Sequence, residues 1–278
     1  MTRHVEVMDL VARLKAAEET FVLATVVRTV SVTAAKAGAK AIIRPDGTIV
    51  AGWIGGGCAR GAVLKAAREA LADGEPRMVS VQPENLLAEL GVKPGENRDG
   101  VRFAENMCPS KGTMDIFVEP VLPHPSLVIL GVSPVALSLA AQARQLGYHV
   151  TLAAPAADLQ AAPEVDMLID SYRLGKLHDA RRFIVVSTQG KGDEAALRAA
   201  VKTEASYHAF VGSGRKMTAL RDKLIGEGVD ASALDRVKAP AGLDLGAITP
   251  EEIAMSILAE ITIERRRGQR ATAISANI

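Results

Sequence analysis

The sequence predicts an α/β protein of two domains, and three observations lead to that class. Apolar runs of strand length alternate with amphipathic helical segments along the chain. Pro120, Pro123 and Pro125 predict a short stiff connector, because proline fixes φ and has no N–H. After the connector, a β-turn-α-β pattern indicates a parallel sheet with right-handed crossovers. We therefore expect an N-terminal α/β domain at residues 1–122 and a C-terminal Rossmann-like domain at residues 123–278.

The N-terminal half begins with a helix, a strand and a hairpin. Residues 5–19 have the apolar spacing of an amphipathic helix, and residues 20–27 are rich in β-formers. Two further β-rich runs, at 40–44 and 48–50, surround a Pro-Asp-Gly turn at 45–47. Residues of these types supply the φ values that a hairpin turn requires, so the pattern predicts two antiparallel strands.

Three consecutive glycines then deliver one of the chain's two cysteines to the predicted start of a helix. Gly55, Gly56 and Gly57 precede Cys58, and residues 59–73 show the spacing of a helix with one buried face. A thiol near a helix N-terminus is more readily ionised, and glycine lets a ligand approach the backbone closely. The alternative is an ordinary glycine-rich turn with a small buried cysteine.

The rest of this half is predicted to be mostly loop. Residues 82–107 are polar and rich in turn formers, and residues 113–119 predict a closing strand. The second cysteine, Cys108, lies between them and is interpreted as structural or incidental, since free cysteines often serve as small hydrophobic residues.

The C-terminal half begins with a strand buried on both faces. Residues 127–130 form a continuous apolar run, and a second strand is predicted at 149–153. Between them, Ser133 suits the N-cap of a helix, Pro134 its first turn and Gly147 its end.

Further strands are predicted at residues 167–169, 183–187 and 208–211. The final helix has a clear beginning, because Thr249 and Glu252 form a capping box with proline in between. Arg265, Arg266 and Arg267 suit the C-terminal end of that helix electrostatically.

Two loops of this half are candidate ligand sites. Gly131 and Ser133 stand where a dinucleotide fingerprint has its first two glycines, and the second strand ends without the carboxylate that binds a ribose. This pattern weakens the case for NAD(P) or FAD. Gly212, Ser213, Arg215 and Lys216 form a turn before a helix, and its N–H groups and two cations suit a phosphate. An ordinary solvated turn is the alternative.

Composition excludes several classes of function. With 33 basic and 32 acidic side chains and 3% aromatic residues, nothing in the chain favours nucleic acid binding. The apolar runs are too short for a membrane span, and the five histidines lack the spacing of a zinc site. Two cysteines make no disulfide framework and no signal segment opens the sequence, so we expect a cytoplasmic protein.

Taken together, these motifs resemble the xanthine dehydrogenase accessory protein family, the XdhC/CoxI group. The segments that carry the resemblance are 23–28, 38–40, 55–58, 115–120, 212–216, 240–253 and 256–260. The resemblance implies an XdhC/CoxI-type domain followed by a Rossmann domain. It also implies that the protein binds molybdenum cofactor (molybdopterin), protects it during sulfuration by a cysteine desulfurase, and delivers it to an apo molybdenum hydroxylase. The client would be of the xanthine or CO dehydrogenase type.

For such a carrier, our hypothesis is that Cys58 contacts molybdenum or its exchangeable sulfur, because thiolate is a soft ligand. Arg28 and Lys40 would supply local positive charge, and the 212–216 turn would hold the phosphate. The rival hypothesis is an NAD(P)- or flavin-dependent oxidoreductase with Cys58 as a redox thiol. A third is an adaptor that binds neither ligand. A homodimer is plausible on general grounds, although no residue indicates one.

Overall fold

The computed structural model describes residues 6–109, 111–161, 163–178 and 180–266. Two units divide the chain, Met1–Pro123 and His124–Ile278, one residue from the predicted boundary. Val5, at the start of the first predicted helix, and Arg267 lie outside the described residues.

The first unit contains a mixed sheet with helices packed on it. In chain order its elements are α1 (Val7–Ala16), β1 (Phe21–Val30), β2 (Lys40–Ile43), β3 (Ile49–Gly52), α2 (Gly57–Asp73), β4 (Arg77–Gln82), α3 (Glu84–Leu90), β5 (Asn97–Arg98), β6 (Val101–Glu105) and β7 (Thr113–Val121). The strand order is β3-β2-β1-β7-β4-β6-β5. Neighbouring strands are antiparallel except for β4 and β6, which run parallel.

Strand alternation decides which helix covers which face of this sheet. On β1, Val22, Ala24 and Val26 are fully buried in the core that contains α2. Phe21 and Leu23, which alternate with these residues, belong to a second cluster that includes α1 on the opposite face. The predicted hairpin is confirmed, since β2 and β3 pair across a turn in which Gly47 has a φ of +85°.

The prediction of loop at 82–107 is wrong, because that segment contains α3, β5 and β6. Each of the five residues of β6 is only half-buried, so no apolar run marks this strand. Its main partner is β4, with which it pairs residue by residue from Met78 and Val101 onward. A strand that depends on such nonlocal pairing leaves little local signal.

The second unit contains a parallel sheet with helices on both faces. Its elements are β8 (Ser126–Leu130), α4 (Pro134–Gln145), β9 (His149–Ala153), a 3₁₀ helix (Ala156–Ala161), β10 (Met167–Ile169), β11 (Arg182–Val186), α5 (Asp193–Lys202), β12 (Tyr207–Phe210), α6 (Gly214–Gly226), α7 (Ala231–Asp235), β13 (Val237–Lys238) and α8 (Pro250–Arg266). The strand order is β10-β9-β8-β11-β12-β13, and every pairing is parallel. The predicted α/β class and the Rossmann-like second domain are confirmed.

This topology predicts a ligand site at the carboxyl ends of the central strands. The strand order reverses between β8 and β11, and open α/β sheets bind ligands beyond the carboxyl ends of the strands at such a point. Helices α4 and α8 pack on one face, while α5, α6 and α7 pack on the other. The capping box predicted for α8 is confirmed, because the Thr249 N–H donates to Glu252 at 3.0 Å and the Glu252 N–H donates to Thr249 Oγ1 at 3.3 Å. Within the described ranges, no helix combines the length and hydropathy needed to cross a membrane.

Candidate functional site

Cys58 lies at the start of α2, as predicted. Gly56 is the N-cap and Gly57 the first helical residue, so Cys58 occupies the second position. Of the three glycines, Gly55 is the one whose backbone needs glycine, with a φ of +111°. A Cβ on Gly55 would lie 3.0 Å from Met114 Cε, whereas Gly56 and Gly57 face open space. The sharp turn at Gly55 therefore sets the position from which the helix delivers Cys58.

A small cavity lies beside this helix start, and both cysteines line it. Its volume is about 60 Å³, and Gly56, Cys58, Asn106, Cys108 and Met114 are among its lining residues. Cys58 is half-buried and Cys108 is exposed. Sequence reasoning treated Cys108 as incidental, because no local pattern connects it to Cys58. The two residues come together only in the folded unit, where α2 and β7 contribute to the same packed core.

The backbone around Cys108 is held in place by Asn106. The Cys108 N–H donates to Asn106 Oδ1 at 3.0 Å, and Asn106 Nδ2 donates to the Gly112 carbonyl at 2.6 Å. The Asn106 N–H donates to the Gln82 carbonyl at the end of β4, at 2.7 Å. A Cβ on Gly112 would lie 2.3 Å from the Val32 carbonyl oxygen. These contacts fix the loop that presents the second thiol.

Cys58 affects the pKa of the Cys108 thiol. Negative charge on Cys58 raises the pKa of the Cys108 thiol, and desolvation and a hydrogen bond between the two thiols act in the same direction. In the part of the chain that the structure describes, no cluster of three or more His, Cys, Asp or Glu residues could hold a metal ion. The chemistry available in the cavity is that of two thiols.

Arg28 and Lys40 lie on the sheet face opposite α2. Arg28 follows a bulge in β1, and its Nε pairs with Asp115 Oδ2 at 2.5 Å. Asp115 also accepts a hydrogen bond from Ser80 Oγ at 2.6 Å. Lys40 is in register with Thr25, on the face away from the Val26 side chain. Neither cation lines the cysteine cavity.

Three exposed apolar side chains lie next to residues of the cavity wall. Val32 is 71% exposed, Trp53 55% and Met107 76%. Val32 and Met107 are chain neighbours of the lining residues Thr33 and Cys108. The indole of Trp53 donates to the carbonyl of Ala34, another lining residue, at 3.4 Å. We call Val32, Trp53 and Met107 the apolar rim.

In the second unit, Gly131 and Ser133 lie at the reversal point, packed against β11. Gly131 has a φ of +116°, and a Cβ there would lie 2.2 Å from the Ser187 carbonyl oxygen. The hydroxyls of Ser133 and Ser187 are hydrogen-bonded at 2.6 Å, and Ser133 Oγ accepts from the Ala136 N–H. Pro134, at the first helical position, has no N–H. The start of α4 therefore offers few free donors to a pyrophosphate.

The Gly212 turn precedes α6, with Ser213 as its N-cap. The Lys216 N–H donates to Ser213 Oγ at 3.3 Å. Lys216 Nζ, however, pairs with the buried Asp193 Oδ2 at 2.5 Å and lies 5.4 Å from the centre of the Phe210 ring. Burial pushes the pKa of Asp193 upward, but hydrogen bonds from Lys216 and Thr188 outweigh it and leave the pKa below its usual value. The charge predicted to bind phosphate is thus largely balanced by Asp193, while Arg215 is exposed.

A larger cavity of about 680 Å³ lies beside this turn. Gly212, Ser213 and Lys238 line it together with the loop at residues 240–247, and Arg215 and Lys216 are not in its wall. Its volume falls within the usual range for small-molecule sites, roughly 300–1,000 Å³. The loop belongs to the 240–253 segment that carries part of the family resemblance, but Lys238 was not among the predicted site residues.

Glu260, on α8, holds this loop in position. Its carboxylate accepts hydrogen bonds from the Tyr207 hydroxyl at 2.5 Å and from the Gly242 N–H at 3.0 Å, and it pairs with Lys238. Lys238 Nζ also donates to the Gly242 carbonyl at 3.0 Å. Burial, and then the hydrogen bond to Glu260, raise the pKa of Tyr207. One carboxylate therefore connects the cavity wall to the helix beneath it.

Comparison with known proteins identifies related families for both units. Residues 127–261 match the family described as the XdhC Rossmann domain, and residues 14–82 match the XdhC and CoxI family. Together the two matches span more than two thirds of the 278 residues.

Two similar proteins and one solved structure accompany these matches. The chain is 28% identical over 231 residues to "Uncharacterized protein YqeB" of Escherichia coli (strain K12), covering 80% of this chain and 40% of that protein. It is 28% identical over 163 residues to a probable xanthine dehydrogenase subunit from Bacillus subtilis (strain 168), covering 56% and 47%. The chain thus spans less than half the length of these relatives. A crystal structure of a xanthine dehydrogenase from Bacillus halodurans aligns over 94% of this chain and 96% of its own, at 18% identity and a TM-score of 0.46.

Proposed function

Because this chain belongs to the XdhC and CoxI family, we propose that it binds molybdenum cofactor, supports its sulfuration and delivers it to a molybdenum hydroxylase. Membership in the family supports an accessory or maturation role for an enzyme of the xanthine dehydrogenase type. A cysteine desulfurase would supply the sulfur, and the client would be an apo-hydroxylase of the xanthine or CO dehydrogenase type. The observation that carries this function is the meeting of Cys58 and Cys108 at one cavity.

The cysteine cavity suits the metal end of the cofactor rather than its pterin. Its volume of about 60 Å³ equals roughly two water molecules in the liquid, at about 30 Å³ each. Only a molybdenum ligand atom or a single sulfur would enter, and the two thiols are soft donors of the kind that bind such centres. The cofactor, when bound, supplies a metal whose sulfur ligand is exchangeable. Cys58 and Cys108 would hold or contact that sulfur.

The larger cavity in the second unit suits the organic part of a ligand. Its size is adequate, and the backbone of the Gly212 turn and the start of α6 carry N–H groups that suit a phosphate. Lys238 lies in its wall, but Glu260 balances that charge. We therefore expect Gly212, Ser213 and the exposed Arg215 to contribute more to phosphate binding than Lys216 does.

The apolar rim offers a surface for the client enzyme beside the cysteines. Delivery requires direct contact between carrier and hydroxylase, and exposed Trp and Met side chains are frequent in protein interfaces. Replacing Met107 with Gln should leave cofactor loading unchanged and slow delivery. Met255→Gln is the matched control, because Met255 is an exposed methionine, at 53%, on α8 in the other unit.

The deciding experiment measures loading and transfer in the same preparation. Wild type and Cys58→Ala are exposed to molybdenum cofactor, and bound molybdenum is measured by elemental analysis and pterin by fluorescence after denaturation. Each protein is then mixed with cofactor-free hydroxylase, and recovered activity is measured. We expect Cys58→Ala to lose most delivery of the sulfurated cofactor.

Two other outcomes would point elsewhere. Saturable binding of NAD(P) or a stoichiometric flavin, with no pterin, would favour the oxidoreductase hypothesis. Absence of both ligands would favour an adaptor. If Cys58→Ala loads and delivers sulfurated cofactor as well as wild type, then the role proposed for Cys58 is wrong.

A further inference from the structure

Cys58 and Cys108 lie at the same small cavity of the first unit. Both cysteines border the cavity of about 60 Å³. One thiol is half-buried at a helix start, and the other is exposed on a loop that Asn106 holds in place. One cavity therefore borders a half-buried thiol and an exposed thiol, and it has space for one additional sulfur atom.

We propose, on the basis of the function proposed above, that Cys58 accepts the outer sulfur of a persulfide and that Cys108 expels this sulfur as hydrosulfide by closing a disulfide with Cys58. The substrate class is a hydropersulfide, borne by a protein or a small thiol. The product is sulfur at the oxidation level of sulfide, which a metal centre can take as a ligand. The pair would then be a sulfur-releasing site as well as a metal contact.

The two steps balance in atoms and electrons. In the first, Cys58 thiolate attacks the outer sulfur of the donor, the donor S–S bond breaks, and the donor leaves as a thiol while Cys58 becomes a persulfide. In the second, Cys108 thiolate attacks the inner sulfur of that persulfide, a Cys58–Cys108 bond forms, and hydrosulfide leaves. The two protein thiols are oxidised by two electrons and the transferred sulfur is reduced by two. An external thiol restores the dithiol.

The positions of the two thiols explain the order of these steps. Cys58 lies in the first turn of α2, where free N–H groups favour negative charge and therefore a thiolate nucleophile. Cys108 is exposed on a loop that borders the same cavity, so it can approach a persulfide on Cys58 from the solvent side.

The closing experiment uses the full chain in its reduced form and glutathione persulfide, without molybdenum cofactor. Hydrosulfide release is measured over time, and the protein is analysed by intact mass and by peptide mapping without reductant. We expect wild type to release hydrosulfide and to lose two hydrogens as the Cys58–Cys108 disulfide forms. Cys108→Ser should instead retain one added sulfur on Cys58 and release hydrosulfide about tenfold more slowly or less. Cys58→Ser should show neither change beyond the rate of the reagent alone.

Two results would overturn the proposal. These are a stable persulfide on wild-type Cys58 without a disulfide, or equal hydrosulfide release by wild type and Cys108→Ser. Peptide mapping of the wild type decides the first point even if a variant folds poorly. Because no molybdenum cofactor is present, failure here leaves the cofactor-loading result intact, and failure of cofactor loading leaves the persulfide result intact.

Discussion

Replacing Glu260 tests whether one carboxylate holds the wall of the larger cavity. The Glu260 side chain is only 14% exposed and accepts from Tyr207 and Gly242. Glu260→Ala would leave both donors unsatisfied, at about 1–3 kcal/mol each. Lys238 is 43% exposed, so its ion pair adds at most about 1 kcal/mol after solvent screening. We therefore expect Glu260→Ala to lower the free energy of unfolding by about 3–5 kcal/mol. Glu260→Gln should lower it by about 1–2 kcal/mol, because glutamine keeps the shape and one acceptor.

The assay is urea unfolding followed by far-UV circular dichroism, with hydrogen exchange measured on the peptide that contains Gly242. Trp53, the single tryptophan, lies in the first unit. Its fluorescence therefore follows a different unit and serves as an internal reference. The matched control is Glu227→Ala, because Glu227 pairs with Arg198 at the surface with 43% of its side chain exposed. The control should cost less than about 1 kcal/mol. If Glu260→Ala lowers the free energy of unfolding by less than about 1 kcal/mol and leaves hydrogen exchange at Gly242 unchanged, the reasoning is refuted.

Three further predictions concern the two candidate sites. Gly55→Ala should destabilise the first unit by about 1–3 kcal/mol, because Gly55 has a positive φ and its added Cβ would contact Met114. The control Gly57→Ala should have a free energy of unfolding within about 0.5 kcal/mol of wild type. Equal melting curves for the two variants, followed by Trp53 fluorescence, would contradict this prediction. Lys216→Met should be less stable than wild type at neutral pH, because Lys216 helps to hold the Asp193 pKa low. The stabilisation that Lys216 gives to ionised Asp193 is present above the ordinary carboxyl pKa and is lost as the pH falls through the lowered pKa of Asp193. The difference in unfolding free energy between wild type and Lys216→Met should therefore narrow below about pH 4. A difference that does not change with pH in urea unfolding would count against this prediction. Cys58→Ala should speed the alkylation of Cys108 by iodoacetamide severalfold near pH 8, because the repulsion that raises the Cys108 pKa is removed; equal rates in the folded proteins would show that the thiols are uncoupled.

Local chemistry made several elements predictable. The capping box at Thr249, the cap at Ser133 and the turn at Gly47 each depend on residues within four positions of one another. The glycine run before Cys58 likewise predicted a helix start. Each of these features is specified by backbone hydrogen bonds or φ values that short segments determine by themselves.

Features that depend on distant partners were not predictable in this way. The strand β6 is half-buried and forms by pairing with β4, so its sequence carries no strong period. Cys108 is brought to Cys58 only because its loop is anchored to the end of β4 through Asn106. Arg28 was predicted to supply local positive charge, and only the structure shows that a bulge in β1 pairs it with Asp115 on the sheet face opposite α2.

The sequence by itself determined the α/β class, the helix start that carries Cys58 and the resemblance to the XdhC and CoxI family. Tertiary structure alone decided that Cys58 and Cys108 line one cavity, that Lys216 is held by Asp193, and that Glu260 anchors the loop of the larger cavity. The physical reason is that hydrogen-bonding and φ preferences act over a few residues. Ion pairs and cavities, in contrast, depend on which elements the sheet order brings together.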